Sequence, residues 1–338
     1  MPPRIGWTRK GSRKRFRYFD AAGREITDEA KLDRIRSLAI PPAWQDVWIS
    51  PSARSKLQAT GVDAAGRKQY LYHPEFRARQ EQAKYDKLIR FAERLPQLRE
   101  TMAAHMELEG LPFERVAAIA VRLINLGWFR VGSDRYAKQS RTFGITTLRK
   151  KHVSVRGSRI SFRYRGKHRI MVRSAIVDQE LATAIKELLA LPGSRLFKFE
   201  LPDGTYCNLD GRRLNEYIRT HLGGEFTAKD FRTWGGTLTA AIAFAETKPP
   251  ETPTQAKRRV AEVMRRVAER LGNTPAVART SYVSPAVVEQ YLDGRTIEDF
   301  RPRRLRVVGA RDVGLDAEEL ATLSLLRSWR IRSSRAAA

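Results

Sequence analysis

Tyr282 closes the segment Gly-Asn-Thr-Pro-Ala-Val-Ala-Arg-Thr-Ser-Tyr (272–282), and Asn273 stands nine residues before it. A phenol becomes a covalent nucleophile where something stabilises the charge that builds up on its target. The chain carries 64 Lys and Arg against 37 Asp and Glu, a formal net charge of +27. A polar side chain at fixed spacing before a tyrosine, on so cationic a protein, points to a phosphodiester as that target. Taken alone, such a tyrosine is more often a partly buried aromatic with a satisfied hydroxyl. The residues upstream must decide.

Three upstream stretches carry the right residue types: Trp128-Phe129-Arg130-Val131-Gly132, Tyr164-Arg165-Gly166-Lys167-His168 and Lys229-Asp230-Phe231-Arg232-Thr233-Trp234-Gly235. Each is weak singly, because an arginine beside a glycine is usually a solvated charge. Arginine suits a phosphoryl group, since its planar fork binds two oxygens and it never deprotonates. The cationic residues recur along the whole chain, which makes the protein a partner for polyanions, with nucleic acid ahead of an anionic membrane surface. Cys207 is the only cysteine, which excludes internal disulfides and thiolate zinc clusters. The five histidines (His73, His105, His152, His168, His221) are scattered without metal-ligand spacing, so no metal or other cofactor is expected. No apolar run approaches a membrane span, and the opening Met-Pro-Pro-Arg lacks a signal peptide's apolar core. A cytoplasmic, nucleoid-associated setting fits best.

These stretches need elements to position them. With 338 residues, 42% hydrophobic and 9% aromatic, the chain is long enough for two folded domains. Residues 1–80 read as a small β-rich domain. Strands are expected around Phe16–Phe19, Val47–Ile49 and Gln69–Tyr72, with one short helix from Asp28 to Leu38. A charged helix from about Phe76 to Leu95 opens a mainly helical domain over 81–338, giving an α+β fold. Within it, Val116, Ile119, Ala120, Leu123 and Ile124 form a helical stripe ending at Gly127 as C-cap. Period-two alternation between Gly144 and Ile170, broken at Arg156-Gly157-Ser158, predicts a small antiparallel sheet. Helices are expected near Asp178, Asp210 and Thr233. Another follows the proline-rich linker 248–253 and ends at Gly272. A last runs from about Asp316 to Trp329, before a basic tail.

Along Gly66-Arg67-Lys68-Gln69-Tyr70-Leu71-Tyr72, Tyr70 and Tyr72 share a face and Gln69 points away. Two readings stand: a half-buried edge strand, or a strand in the major groove where Gln69 pairs with adenine and the rings meet thymine methyls or sugars. Arg9, Lys10, Arg13, Lys14, Arg15 and Arg17 read as phosphate contacts or as a solvated face. His152 and His168 read as structural.

In this order and spacing the stretches resemble the catalytic domain of type IB DNA topoisomerases, specifically the compact poxvirus and bacterial kind. Thr142-Phe143-Gly144-Ile145-Thr146-Thr147-Leu148 followed by His152 is similar to that family's stretch after its first catalytic arginine, and residues 66–72 to its N-terminal DNA-contact strand. The resemblance covers nearly the whole chain. It implies catalytic roles for Tyr282 as nucleophile, Arg130 and Arg232 as phosphoryl-oxygen clamps and Lys167 as general acid. Asn273 stands where many members carry histidine. It also implies DNA contacts at Arg67, Lys68, Gln69, Tyr70, Tyr72 and Lys229. The implied function is relaxation of positive and negative supercoils through a 3′-phosphotyrosyl intermediate, strand swivelling and religation, without ATP or metal. The implied partner is duplex DNA, held by a monomeric clamp. A tyrosine recombinase shares the nucleophile and the arginine pair, but usually has His-x-x-Arg where this chain has Lys229-Asp230-Phe231-Arg232, and its N-terminal domain is helical. A non-catalytic duplex-DNA-binding protein would need a broken site, and all five catalytic positions here hold competent residues.

Overall fold

The computed structural model describes residues 5–12, 15–301 and 314–337, so Arg13 and Lys14 lie outside the described residues. The chain divides into two compact units, residues 1–86 and 87–338. The α+β expectation holds: a small β-rich unit is followed by a mostly helical one.

In the first unit, β1 (Trp7–Ser12), β2 (Arg15–Phe19), β3 (Gln45–Ile49), β4 (Leu57–Val62) and β5 (Lys68–Tyr72) form one antiparallel sheet in the order β2-β1-β3-β4-β5. Helix α1 (Glu29–Ser37) starts at Asp28, whose side chain accepts from the Lys31 N–H, as an N-cap should. Ile35 of α1 joins Trp7, Val47, Ile49 and Ala59 in the core, with Leu71 packed against them. Strands β1 and β4 do not stand out in the sequence. Trp-Thr-Arg-Lys-Gly-Ser has one large apolar residue, and Leu-Gln-Ala-Thr-Gly-Val does not alternate because four of its residues are buried. Gln58 is one of those four. Its amide donates to the Ala53 and Ser55 carbonyls at 2.9 and 2.6 Å, and Arg34 donates to its oxygen at 2.8 Å, which removes the cost of burying it.

Helix α2 (Pro74–Met106) passes Pro96, where a proline should end it. It continues because Leu95, Leu98 and Met102 are all buried, and that apolar burial outweighs one lost backbone bond. In the second unit, α3 (Phe113–Gly127) and α4 (Asp134–Gln139) precede a sheet in the order β6-β7-β8, made of β6 (Val153–Arg156), β7 (Arg159–Arg165) and β8 (Met171–Val177). This sheet starts later than expected, since two 3-10 turns occupy 145–147 and 150–152, and its third strand runs past Ile170. Then come α5 (Gln179–Ala190), the short ribbon β9 (Lys198–Glu200) and β10 (Tyr206–Asn208), α6 (Gly211–Leu222), α7 (Ala228–Ala245), α8 (Pro253–Leu271), α9 (Pro275–Ser281), α10 (Pro285–Leu292) and α11 (Ala317–Ala337).

Helices α3 and α7 are the buried centre. Every residue from Val116 to Val121 is inaccessible, so α3 is covered all round rather than along one stripe. Its left-handed cap is Trp128 (φ +51°), not Gly127. Gly127 instead leaves room for the Phe129 ring, which an added Cβ would meet at 2.4 Å. Helix α7 starts five residues before Thr233, because Thr227 and Asp230 form a capping box. Residues after Trp329, expected as a basic tail, continue α11.

Glu319 ties α11 to this centre. It is 4% exposed, accepts from both terminal nitrogens of Arg99 at 2.7 and 2.9 Å, and accepts from the Trp234 indole N–H at 3.1 Å. Glu319→Ala strands a largely buried guanidinium and an indole donor, so it should cost about 3–5 kcal/mol. Chemical denaturation of the variant checks this.

Candidate active site

The site is built around the C-terminus of α8, within the second unit. The last carbonyls of a helix have no partner inside it and carry the negative end of its dipole. Gly272 ends α8 in the left-handed region (φ +61°), and two arginines from distant segments meet the carbonyls there. Arg232, in the second turn of α7, donates to the Leu271 carbonyl at 2.7 Å and also to the Trp128 carbonyl. Arg130 donates to the Gly272 carbonyl at 2.9 Å and to Asn273 Oδ1 at 2.5 Å. Arg232 is 5% exposed. Among the described residues neither guanidinium has a carboxylate partner. Burial first, and then the charge of Arg232, holds the Arg130 guanidinium below its ordinary pKa. Two adjacent cations partnered only by dipoles form a receptor for an anion.

The loop that presents Arg130 is pinned at both sides. The Ile145 and Thr146 N–H groups donate to the Arg130 and Val131 carbonyls, both at 2.8 Å. This pairing brings Gly144 so close that an added Cβ would lie 2.5 Å from the Arg130 carbonyl oxygen. Glycine is required there by approach, not by turn geometry.

Tyr282 follows α9 and donates its N–H to the Ala278 carbonyl at 3.0 Å. Its own carbonyl accepts from Thr237 Oγ1 of α7 at 3.2 Å, and that hydroxyl accepts from the Ser284 N–H at 3.1 Å. A Cβ on Gly236 would lie 2.8 Å from the Tyr282 carbonyl oxygen and 2.9 Å from its Cβ, while a Cβ on Gly235 would lie 2.3 Å from the Trp128 indole. Consecutive glycines inside a helix cost about 1 kcal/mol each relative to alanine. Here they let α7 touch the Tyr282 segment on one side and the Arg130 loop on the other. The Arg232 guanidinium lies 5.0 Å from the centre of the Tyr282 ring. Burial raises the phenol's pKa, but Arg232, through its charge and a hydrogen bond, and then the charges of Arg130 and Lys229 outweigh it, so the net direction is down.

Arg130, Arg232, Asn273 and Tyr282 therefore lie together, with exposed Lys229 close enough to act on the phenol. Asn273 Nδ2 and Arg232 Nε are buried without a hydrogen-bond partner, so both are donors still to be used. Lys167 stands apart. It is exposed on the β7–β8 connection, in a single turn where His168 and Arg169 take φ of +59° and +60°. His152 is buried, with Nδ1 accepting from the Arg149 N–H at 3.1 Å, while His168 is exposed.

Sequence reasoning missed the two helix-end carbonyls, Thr237, and the role of Tyr164. Tyr164 is 4% exposed and lines, with Arg130, Arg232 and Trp128, a cleft of about 410 Å³ along the edge of β8. Burial pushes its phenol pKa up, against the pull of both arginines. Only the alternation of β7, which turns Tyr164 inward with Phe162, signals its position.

In the first unit, Lys68, Tyr70 and Tyr72 are exposed along β5, with the two rings stacked at 6.2 Å. Gln69 lies on the other face and donates to Asp63 Oδ2 at 2.8 Å; Arg67 Nε donates to the same oxygen at 2.9 Å. Bonds from Arg67 first, with help from Gln69, hold Asp63 down to about 2. Gln69 is thus already paired, unlike a free base-reading amide. Among the described residues no helix is long and apolar enough to cross a membrane.

A family model of the eukaryotic DNA topoisomerase I catalytic core matches residues 73–301, and one of the bacterial DNA topoisomerase IB N-terminal domain matches residues 15–63. The chain is 32% identical over 293 residues to DNA topoisomerase 1B of Acanthamoeba polyphaga mimivirus, covering 85% of this chain and 87% of that protein. It is 23% identical over 273 residues to DNA topoisomerase 1B of Vaccinia virus (strain Copenhagen), covering 79% and 83%.

The lowered Tyr282 phenol gives a spectroscopic test. Ultraviolet titration of the protein minus Tyr282→Phe should show one phenolate appearing below the ordinary tyrosine range. Arg232→Gln should move it upward. The fold holds this proton less tightly than the unfolded chain does, so the linked stability grows as pH rises through that range. A difference phenol at or above the ordinary value would contradict the geometry.

Proposed function

The chain belongs to the type IB DNA topoisomerases, and from that membership we propose that it relaxes positive and negative supercoils through a covalent bond between Tyr282 and one DNA strand. The observation that carries the reading is the convergence of two largely buried arginines, without an acid between them, beside a phenol they acidify.

In the proposed reaction a phosphodiester occupies the arginine pair, and Tyr282 Oη attacks its phosphorus as the phenol gives up its proton to solvent. Negative charge builds on the non-bridging oxygens, where the preset guanidiniums of Arg130 and Arg232 stabilise it more than they stabilise the ground state. Asn273 contributes one neutral hydrogen bond from Nδ2, since its oxygen is committed to Arg130. The phosphorus–5′-oxygen bond breaks, and the leaving oxygen takes a proton from Lys167 acting as general acid. Lys167 lies on an exposed turn, so this role requires the β7–β8 connection to close on the DNA. The product is a 3′-phosphotyrosine and a 5′-hydroxyl. Torsional strain swivels the free end, and the 5′-hydroxyl then attacks the phosphotyrosine and expels the phenol. The phosphoester energy is conserved, so ATP has no part in the balance. The arginines supply the charge stabilisation that metals supply in two-metal nucleases.

The DNA-contact reading rests on Lys68, Tyr70 and Tyr72 along the exposed face of β5, with Arg67 and Lys229 at phosphates. Gln69 reads a base only by leaving Asp63. The reading includes a monomer of the poxvirus and bacterial kind, holding duplex DNA as a clamp in a bacterial nucleoid.

Relaxation of positively and negatively supercoiled plasmid, with EDTA and without ATP, tests the proposal. Wild type should relax both, and Tyr282→Phe should bind plasmid but relax neither. Tight, salt-sensitive binding without relaxation by wild type would shift the reading to a recombinase or a DNA-binding protein. Arg130→Ala and Arg232→Ala should each slow single-turnover cleavage by about 10²–10³, as loss of a preset donor does. Gly236→Ala should slow it by about 10² by displacing the nucleophile. An unchanged rate in Gly236→Ala would show that α7 does not set the position of Tyr282.

A further inference from the structure

Tyr164 is a buried phenol beside the arginine pair that the proposed reaction leaves unused. Alternate side chains of a strand share a face, so Tyr164 stands in one row with Ile160 and Phe162, and all three are buried. Phe162 fills its place in that row with a bare ring. A phenylalanine at 164 would bury as much apolar surface, so packing alone does not account for the hydroxyl. The Tyr164 ring lies 6.5 Å from the Phe129 ring and 6.2 Å from the His152 ring, centre to centre, with Val172 opposite it on β8. Its hydroxyl has no hydrogen-bond partner among the described residues, yet it is not one of the polar atoms sealed from solvent. It is therefore left to the cleft that Tyr164 lines with Arg130 and Arg232.

Both guanidiniums act on this phenol through their charge, Arg130 ahead of Arg232. Their hydrogen bonds go to the Trp128, Leu271 and Gly272 carbonyls and to Asn273, none to Tyr164. A hydroxyl rotor beside two cations turns its oxygen toward them and its proton away. Burial holds the phenol above the ordinary tyrosine range in spite of both cations, so the proton stays on at working pH. Tyr282, beside the same pair, is shifted down. Two phenols pushed apart around one arginine pair suit different tasks: one gives up its proton, the other keeps it to donate.

We propose that Tyr164 is a further catalytic residue, whose hydroxyl donates a hydrogen bond to a non-bridging oxygen of the phosphodiester held by Arg130 and Arg232. This rests on the DNA topoisomerase reading above. Charge on that oxygen grows as Tyr282 attacks, so the bond strengthens toward the transition state and raises the rate more than the affinity. The proton stays with Tyr164 throughout, and no covalent bond forms or breaks there.

The test uses the whole protein carrying Tyr164→Phe, which removes the hydroxyl and keeps the ring. Single-turnover cleavage of a one-site duplex should slow by about 10–100-fold, the worth of one hydrogen bond to a charged group. Duplex affinity, compared with and without Tyr164→Phe in chains that also carry Tyr282→Phe, should stay within about twofold. That result also reports the folding of the variant. Sulfur separates a hydrogen bond from a packing role, because sulfur in place of one non-bridging oxygen is a poor acceptor. The slowing by Tyr164→Phe should therefore largely disappear for one phosphorothioate diastereomer and persist for the other. Equal slowing of the oxygen duplex and of both diastereomers would assign Tyr164 to packing and overturn the proposal. Restored cleavage with sulfur at the leaving 5′ position, which departs without a proton, would make Tyr164 the general acid and overturn it as well. An unslowed Tyr164→Phe beside a wild type that cleaves overturns the proposal and leaves the topoisomerase reading standing. A wild type that does not cleave brings down both.

Discussion

Two largely buried guanidiniums held side by side, with no carboxylate partner among the described residues, are the constraint around which the catalytic unit is organised. A carboxylate would be the ordinary way to make such a pair tolerable, and it would also quench the site. The fold uses dipoles instead: the carbonyls that end α8, the carbonyl that ends α3 at Trp128, and the amide of Asn273. Dipoles orient the cations while leaving their net charge available. The left-handed caps at Trp128 and Gly272 follow, because each turns the chain so that its helix-end carbonyl meets an arginine.

That solution demands that several backbones come unusually near to one another. Helix α7 must carry Arg232 under α8, accept the Trp128 indole and support the Tyr282 segment, all within two turns. Gly235 and Gly236 are where these demands meet. The cost in helix propensity is set against burial, since nearly every residue of α7 from Phe231 to Ala241 is inaccessible. The Gly132–Gly144 approach does the same for the Arg130 loop.

Much of this architecture was legible in the sequence, for identifiable reasons. Asp28, Asp178 and Asp210 announced their helices because a capping side chain acts within three residues of itself. Period-two patterning announced β5 and β7. Features fixed by tertiary packing were not legible: β4, buried on both faces; α2, carried past Pro96 by its buried leucines; and the cap at Trp128. The candidate site residues were named from the family resemblance, and Arg130, Arg232, Asn273 and Tyr282 lie together. What holds them was not legible, since carbonyl groups leave no mark on a sequence. Gln69 shows the converse. Its place on the strand could be read, but its bond to Asp63 could not.

The hydroxyl of Thr237 receives the Ser284 N–H and gives its proton to the Tyr282 carbonyl, so the backbone just after the Tyr282 side chain is stitched to α7 by two bonds. In the proposed swivel the DNA end joined to Tyr282 would be moored to a helix buried at the centre of its unit. Only the other end would wander. Rejoining would then be a search by one moving partner for a stationary berth, and the precision of the seal would be inherited from the packing of the core.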